Sequence, residues 1–583
     1  MKKFLTLSFL CFAQVVHAYS ECCSTDQYIE VASKEPTYES LSGKSIDVID
    51  YFMIDQYKTN RLVQSIHTVP GVELKEIAGL STVRIRGMRS YDTKYLYNGV
   101  PIKDPSHPQS SYLPFLDDTV AVGNHEIQIL KGSGGVLYGS EAIGGVVDIV
   151  PIRNEFSILS EIGETIKETV TTPIVSASRS DSENYWNNSL RAEYKTDHIS
   201  PFLLLIQSEG ELNDAPFISD STVHIDQNDE NNRSEEMFVQ SGVKIDFEPV
   251  HWTGSISDSE RRFLFLPDAD GSDFYSDGTF SGTVIYSDLR FSNFITVGHT
   301  FERQFYELES VGHEDEIDRY ENDFYVEKGF DVNGINILLG ARENIHEDAK
   351  HRTVYDISGV YKAPSGTTIR SHFGTGFMVP SLYELNGAFL TDFGRFEIGN
   401  PNLSPERSKS FDVGFEQEVT KDIRLGITYF ESSVRNQIVL IGSSYKNVDG
   451  IYSPHGFEAW YEQFLIKSAI LRLAYTRTTV ENLIDVPGHS IDAVIRFHKG
   501  KWNGSLRASF RDTHRIQLFD MDTFSVLNIN EDGYFKADLT VGYKVSTNVE
   551  IFGRADNLFS EDYTASGYRQ PGTRLYAGAK VTF

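Results

Sequence analysis

The sequence predicts a transmembrane β-barrel behind a compact N-terminal α+β unit, on three observations. The first is alternation: Leu575, Ala577, Ala579, Val581 and Phe583 fall in one phase, Tyr576, Gly578, Lys580 and Thr582 in the other. Successive strand side chains point to opposite faces, so the segment has one apolar side for lipid, one polar side for a watery lumen, and an interfacial aromatic at its tip. The second is the start of the chain, where Lys2 and Lys3 precede an apolar run from Phe4 to Val16 and small residues close Val16-His17-Ala18, predicting a signal peptide over residues 1–18. The third is that this run is too short to cross roughly 30 Å of hydrocarbon as a helix, and no later stretch qualifies. A protein that crosses a bilayer without helices must cross by strands closed into a barrel, because lipid satisfies no open sheet edge.

The elements follow in order. Residues 19–35 form a polar lead-in. Residues 36–154 have the pattern of a small α+β unit: Ile46 to Ile66 shows helical apolar spacing, Pro70-Gly71 punctuates it, and Val83–Ile85, Tyr95–Tyr97 and Glu126–Leu130 are predicted as short strands. Residues 155–583 change to alternating segments separated by Asp, Asn, Ser and Gly. Phe411, Val413 and Phe415 alternate with Asp412, Gly414 and Glu416, and Phe535 to Val545 alternates over the length a tilted membrane strand needs.

Composition narrows the function. A formal charge of -30 excludes nucleic acid as a partner. With Tyr 30 and Phe 38 against Trp 4 and Met 6, the aromatic content suits strands and interface girdles better than helical bundles. Cys11 leaves with the signal peptide, and Cys22 and Cys23 are adjacent, so no long loop is closed between them. His346-Glu347 is followed by His351, one residue too far for a zinc-protease helix, and Lys131-Gly132-Ser133-Gly134-Gly135 lacks the spacing of a phosphate-binding loop. The sequence is expected to be no enzyme.

Specific words then stand out. Ile85 to Pro105 (IRGMRSYDTKYLYNGVPIKDP) and Glu126 to Val150 (EIQILKGSGGVLYGSEAIGGVVDIV) resemble the plug signatures of TonB-dependent outer-membrane receptors. Gly374 to Gly387, Gly399 to Glu416, Ala555 to Tyr563 and the terminal Phe583 resemble that family's barrel motifs and its barrel-assembly ending. The resemblance implies a barrel of about 22 antiparallel strands with the α+β plug inside its lumen, in the outer membrane of a Gram-negative-type bacterium. It also implies a monomer that contacts lipopolysaccharide and outer-membrane lipid, is inserted by the barrel-assembly machinery, and is energised by TonB.

TonB grips a short extended segment by adding it as a strand. Asp26, Gln27, Tyr28, Ile29, Glu30, Val31 and Ala32 are the candidate TonB box, since the β-forming residues lie between the cleavage site and Pro36. By resemblance, Arg86 and Lys131 form a latch to carboxylates of the barrel wall, the lysine as a point charge rather than a fork. Arg89, Ser90, Tyr91 and Asp92, with Ser106 and His107, are candidate ligand contacts from loops at the plug's outer apex.

The cargo is expected to be a small metal chelate. Residues 381–399 hold no histidine, which disfavours haem. The short barrel and the motif blocks are most similar to the cobalamin receptors, with siderophore receptors close behind, and a passive channel or adhesin with a structural plug stays open as another class. No covalent cofactor is expected. Calcium is the candidate ion, because cobalamin receptors often order their substrate loops with it and Asp226, Asp268, Asp270 and Asp273 lie in acidic loops able to supply oxygen ligands.

Overall fold

The computed structural model describes residues 28–29, 37–38, 42–58, 62–77, 80–102, 125–151, 156–163, 184–194, 196, 198–213, 231–265, 276–291, 295–310, 313–347, 351–391, 394–442, 444–480, 486–520, 525–565, 568–570 and 572–581. The expected signal peptide, the terminal Phe583, Ser106, His107, Asp226, Asp268, Asp270 and Asp273 lie outside them.

Among the described residues one antiparallel sheet of 21 strands runs from Phe156–Gly163 to Arg574–Val581 in chain order, with separate two-stranded hairpins inserted at 388–397, 514–531 and 564–569. The long strand Ile423–Ile441 pairs with Ser444–Tyr452 at one end and His455–Ile466 at the other, so two short strands fill one position around the sheet. The alternation seen in the sequence becomes an inverted distribution. Phe411, Val413 and Phe415 are 40%, 38% and 41% exposed, while Asp412 between them is fully buried. Thr540, Ser505 and Glu458 are likewise buried, whereas Ile357, Ile369, Phe535 and Leu575 face outward. Apolar side chains outside and polar ones inside is the arrangement lipid on one face and a filled lumen on the other would select.

The lumen is filled by a second, 5-stranded sheet ordered Ser45–Ile49, His125–Lys131, Gly145–Pro151, Thr93–Tyr97, Val100–Pro101, with one parallel pairing between Thr93–Tyr97 and Gly145–Pro151. A hairpin of Val72–Ile77 and Leu80–Ile85 lies beside it. Ile66, Val83, Ile85, Ile127, Ile129, Val147 and Ile149 form a core that continues into Leu204, Ile206, Phe238 and Val284 of the wall. Plug and barrel thus share apolar packing.

One expectation is corrected. Helical spacing from Ile46 to Ile66 predicts a single helix, but Ser45–Ile49 is a strand, Tyr51–Tyr57 a short helix and Leu62–Thr68 a 3-10 turn. The Asp50 carboxylate caps the helix by accepting from the Met53 amide at 2.7 Å, and Lys58 ends it in the left-handed region at φ 47. β-Branched Ile46, Val48 and Ile49 sit better on the sheet, where pairing with His125–Lys131 and the packing of its two faces bury them.

Candidate functional site: the interface between plug and wall

Arg86 ends the hairpin strand Leu80–Ile85, and the chain turns there with Arg86 at φ 54 and Gly87 at φ 72. That turn aims the guanidinium at the wall. Nε donates to Glu458 Oε1 at 2.9 Å, Nη2 to Glu458 Oε2 at 3.1 Å and to Ser45 Oγ at 2.8 Å, and Nη1 lies 3.4 Å from Asp412 Oδ2. The Phe430 ring lies 5.1 Å from the guanidinium carbon. Burial by itself disfavours the charge, but Glu458 and Asp412 outweigh it and hold Arg86 protonated above its ordinary range.

Lys131 reaches the same carboxylate from the end of strand His125–Lys131. Its Nζ donates to Glu458 Oε2 at 2.8 Å and to the Pro70 carbonyl at 3.1 Å, and pairs with Asp47 at 2.7 Å. Asp47 also accepts from Arg472 of the wall at 2.7 Å. Burial would push the Asp47 carboxyl up, yet Lys131 and Arg472 bring it below the usual carboxylate range. Gly71, at φ 72, lies against this cluster, where a Cβ would collide with the Glu458 carboxylate. Two plug cations from different strands therefore converge on one buried wall glutamate.

Comparable contacts ring the plug. Lys44 pairs with Asp356 at 2.8 Å and Glu327 at 3.5 Å, and Glu73 accepts from Arg511 at 2.7 Å and Ser490 at 2.5 Å. At the foot, Lys580 donates to Tyr51 at 2.8 Å and pairs with Asp55.

Arg89, Ser90, Tyr91 and Asp92, the candidate ligand contacts, lie in a turn that packs on the wall. Arg89 Nε and Nη2 donate to Asp92 at 3.0 and 2.7 Å, Nη1 donates to Glu406 of the wall at 3.1 Å, and the guanidinium stacks 4.3 Å from the Tyr91 ring. Asp92 also accepts from the Arg89 amide at 2.9 Å and is fully buried. Ser90 accepts from Thr82 at 3.1 Å, and Tyr91 packs against the cluster of Met88, Ile143, Met378 and Val434, where burial pushes its phenol up. Glu406 draws the Arg89 side chain, and with it the turn, against the wall. Position after a strand suggests an apical loop, but the partner lies hundreds of residues away.

Of the candidate TonB box, Tyr28–Ile29 is extended and pairs antiparallel with Thr37–Tyr38; Asp26, Gln27, Glu30, Val31 and Ala32 lie outside the described residues. No group of three or more His, Cys, Asp or Glu able to hold a metal occurs among the described residues. Sequence reasoning missed Glu458, Asp412, Asp47 and Glu406. For Asp412 a signal existed, a carboxylate in the polar phase between two phenylalanines; Glu458 lies in Gly456-Phe457-Glu458-Ala459, where the phase is less evident.

Comparison with known proteins agrees with this geometry. A family model described as TonB dependent receptor-like, beta-barrel, matches residues 171–558, and one for the TonB-dependent receptor plug domain matches residues 40–146. The chain is 22% identical to the vitamin B12 transporter BtuB of Vibrio vulnificus over 97% of both chains, and 21% identical to that of Photobacterium profundum over 100% of both. Among solved structures, the siderophore receptor PirA of Acinetobacter baumannii superposes with TM-score 0.76 at 14% identity, covering 92% of this chain and 98% of the other. The ferric enterobactin receptor PfeA of Pseudomonas aeruginosa gives 0.74 at 15%, with the same coverage. A barrel whose lumen holds a plug, joined to its wall by buried ion pairs and matched across most of its length by both family models, belongs to the TonB-dependent receptors of the outer membrane.

Proposed function

We propose that this receptor imports cobalamin across the outer membrane of a Gram-negative bacterium, with TonB pulling on the segment 26–33. One observation carries the transport reading: Glu458 takes both Arg86 and Lys131, so a small displacement of the plug breaks several charged contacts together. Such contacts hold the plug while it is seated and leave polar groups that water can satisfy once it moves, which suits a stopper that must yield and return. The plug's apolar core is also continuous with the wall, as a seated stopper requires.

Likeness over the whole length to two vitamin B12 transporters supports cobalamin over other chelates. In this reading Ser106 and His107 contact the cargo, and Asp226, Asp268, Asp270 and Asp273 supply calcium ligands that order the loops above it.

Purified receptor is titrated with cyanocobalamin and with a panel of ferric siderophores, with calcium and with chelator. Cobalamin binding that weakens when calcium is removed is the expected result. A ferric siderophore binding in its place overturns the cargo and leaves the importer. Deleting residues 26–33 should abolish uptake in cells and leave binding intact; unchanged uptake would mean a passive channel.

A further inference from the structure

Among the described residues, one ladder of the wall stops short where the plug touches it. The ladder between strands Arg352–Lys362 and Thr367–Met378 runs from Lys362↔Thr368 to Asp356↔Gly374 and stops, while Thr367–Met378 remains paired with Glu406–Thr420 as far as Met378↔Glu406. The plug holds the released end. Ser133 Oγ donates to the Thr375 carbonyl at 2.9 Å, the Glu141 amide to the Phe377 carbonyl at 3.1 Å, and the Val379 amide donates to Ser140 Oγ at 3.1 Å. Gly135 permits the approach, since a Cβ there would lie 2.8 Å from the Thr375 carbonyl oxygen. Phe377 shares the phase of outward Phe373 yet is buried to 1% against Val136 and Val354.

The strand's inward roll leaves a recess of about 520 Å³ in the outer face, with Tyr355 and Phe377 in its walls and Arg352, Arg407, Lys409 and Arg435 around it. Arg407 and Arg435 stand directly opposite each other across neighbouring strands, and Lys409 is two residues along on the same face. Like charges so placed destabilise a sheet. None of the four has a carboxylate within ion-pair distance among the described residues; the nearby Glu343 accepts from Thr353 and Glu431 from Tyr429. The Arg352 Nε is buried without an acceptor.

Their height locates the partner. The row Leu339, Ile357, Phe373, Phe411 is the upper edge of the apolar belt on these strands. Lys409 and Arg407 stand roughly 7 and 14 Å further along their strand. This is the end away from tight turns such as 363–366 and 421–422, and in outer-membrane barrels the short turns face the periplasm. We infer that this recess binds a phosphorylated lipid of the outer leaflet, lipopolysaccharide, with its lipid A phosphates between Arg407, Arg435 and Lys409 and an acyl chain against the exposed Tyr355. Arginine forks match phosphate oxygens and neutralise a repulsion that the protein leaves unanswered.

The inference rests on the barrel crossing the outer membrane and is independent of cargo. Full-length receptor, stripped of lipid in mild detergent, is mixed with bisphosphoryl lipid A, dephosphorylated lipid A or inorganic pyrophosphate and weighed by native mass spectrometry. Wild type should retain bisphosphoryl lipid A at least tenfold better than the R407Q/R435Q variant, while R303Q, which removes an outward arginine already paired with Asp318, should match wild type. The double variant should melt no lower than wild type, because a like-charge pair is gone; if it does not fold, K409Q alone should weaken retention severalfold. Equal retention by the folded variants, equal binding of the dephosphorylated lipid, or displacement of the lipid by pyrophosphate at matched concentration would overturn the site.

Discussion

Glu458 is the residue on which the seating of the plug depends. Glu458→Gln keeps the shape but leaves Arg86 and Lys131 buried with one charged partner each, Asp412 and Asp47. Breaking a buried pair from one side costs about 3–5 kcal/mol, so plug unfolding, followed by hydrogen exchange of residues 80–102, should shift to lower denaturant while the barrel transition stays. Arg86→Lys should recover only part of what Arg86→Ala loses, since lysine cannot bond both Glu458 oxygens and Ser45 together. Uptake assays of the same variants separate seating from transport: a looser plug admits small antibiotics, and intact exclusion by Glu458→Gln would contradict the latch.

At the scale of the element, the turn Leu62–Thr68 carries a pH dependence. His67 is held well below the ordinary imidazole range, first by burial and then by Lys536 and Arg511, and its Nδ1 is buried without a partner. A histidine kept neutral in the fold takes up a proton on unfolding once pH falls below its unfolded value of about 6.5. The stabilisation is therefore complete above that pH and is lost on acidification, by up to about 1.4 kcal/mol per pH unit. The plug's denaturation midpoint should fall between pH 7.5 and pH 5.5, and His67→Gln should flatten that slope; an unchanged slope would place the titration elsewhere. The plug strands Val83–Ile85, Tyr95–Tyr97 and Glu126–Leu130 were legible in the sequence because β-branched and aromatic residues cluster there between turn signals. The strand Ser45–Ile49 was not, since Ile46, Val48, Ile49 and Ile54 satisfy a helical spacing as well as a buried strand does, and only the pairing with His125–Lys131 decides between them.

For the whole molecule, the two faces of the wall predict opposite responses to the same substitution. Ile357→Arg places a charge in the lipid-facing row at the upper edge of the apolar belt, where it should cost up to about 1 kcal/mol and modestly reduce the heat-modifiable folded band. Ser358→Arg, one residue on, faces inward against Gly43, whose missing Cβ admits the wall. It should leave barrel insertion intact but displace the plug, read as increased antibiotic entry. If both variants insert equally poorly, the assignment of faces is wrong.

The sequence by itself determined the class of the molecule: period-two alternation sorts side chains by face, and the plug words mark the family, both local properties. It also singled out Arg86 and Lys131, which stand in recognisable contexts. Only the tertiary structure decided that both meet Glu458, that Arg89 reaches Glu406 of the wall, and that Ser133 and Glu141 hold the end of the Thr367–Met378 strand. The physical reason is that a charge's partner is chosen by barrel register and plug height, and those follow from closing hundreds of residues around one core, which no local pattern records.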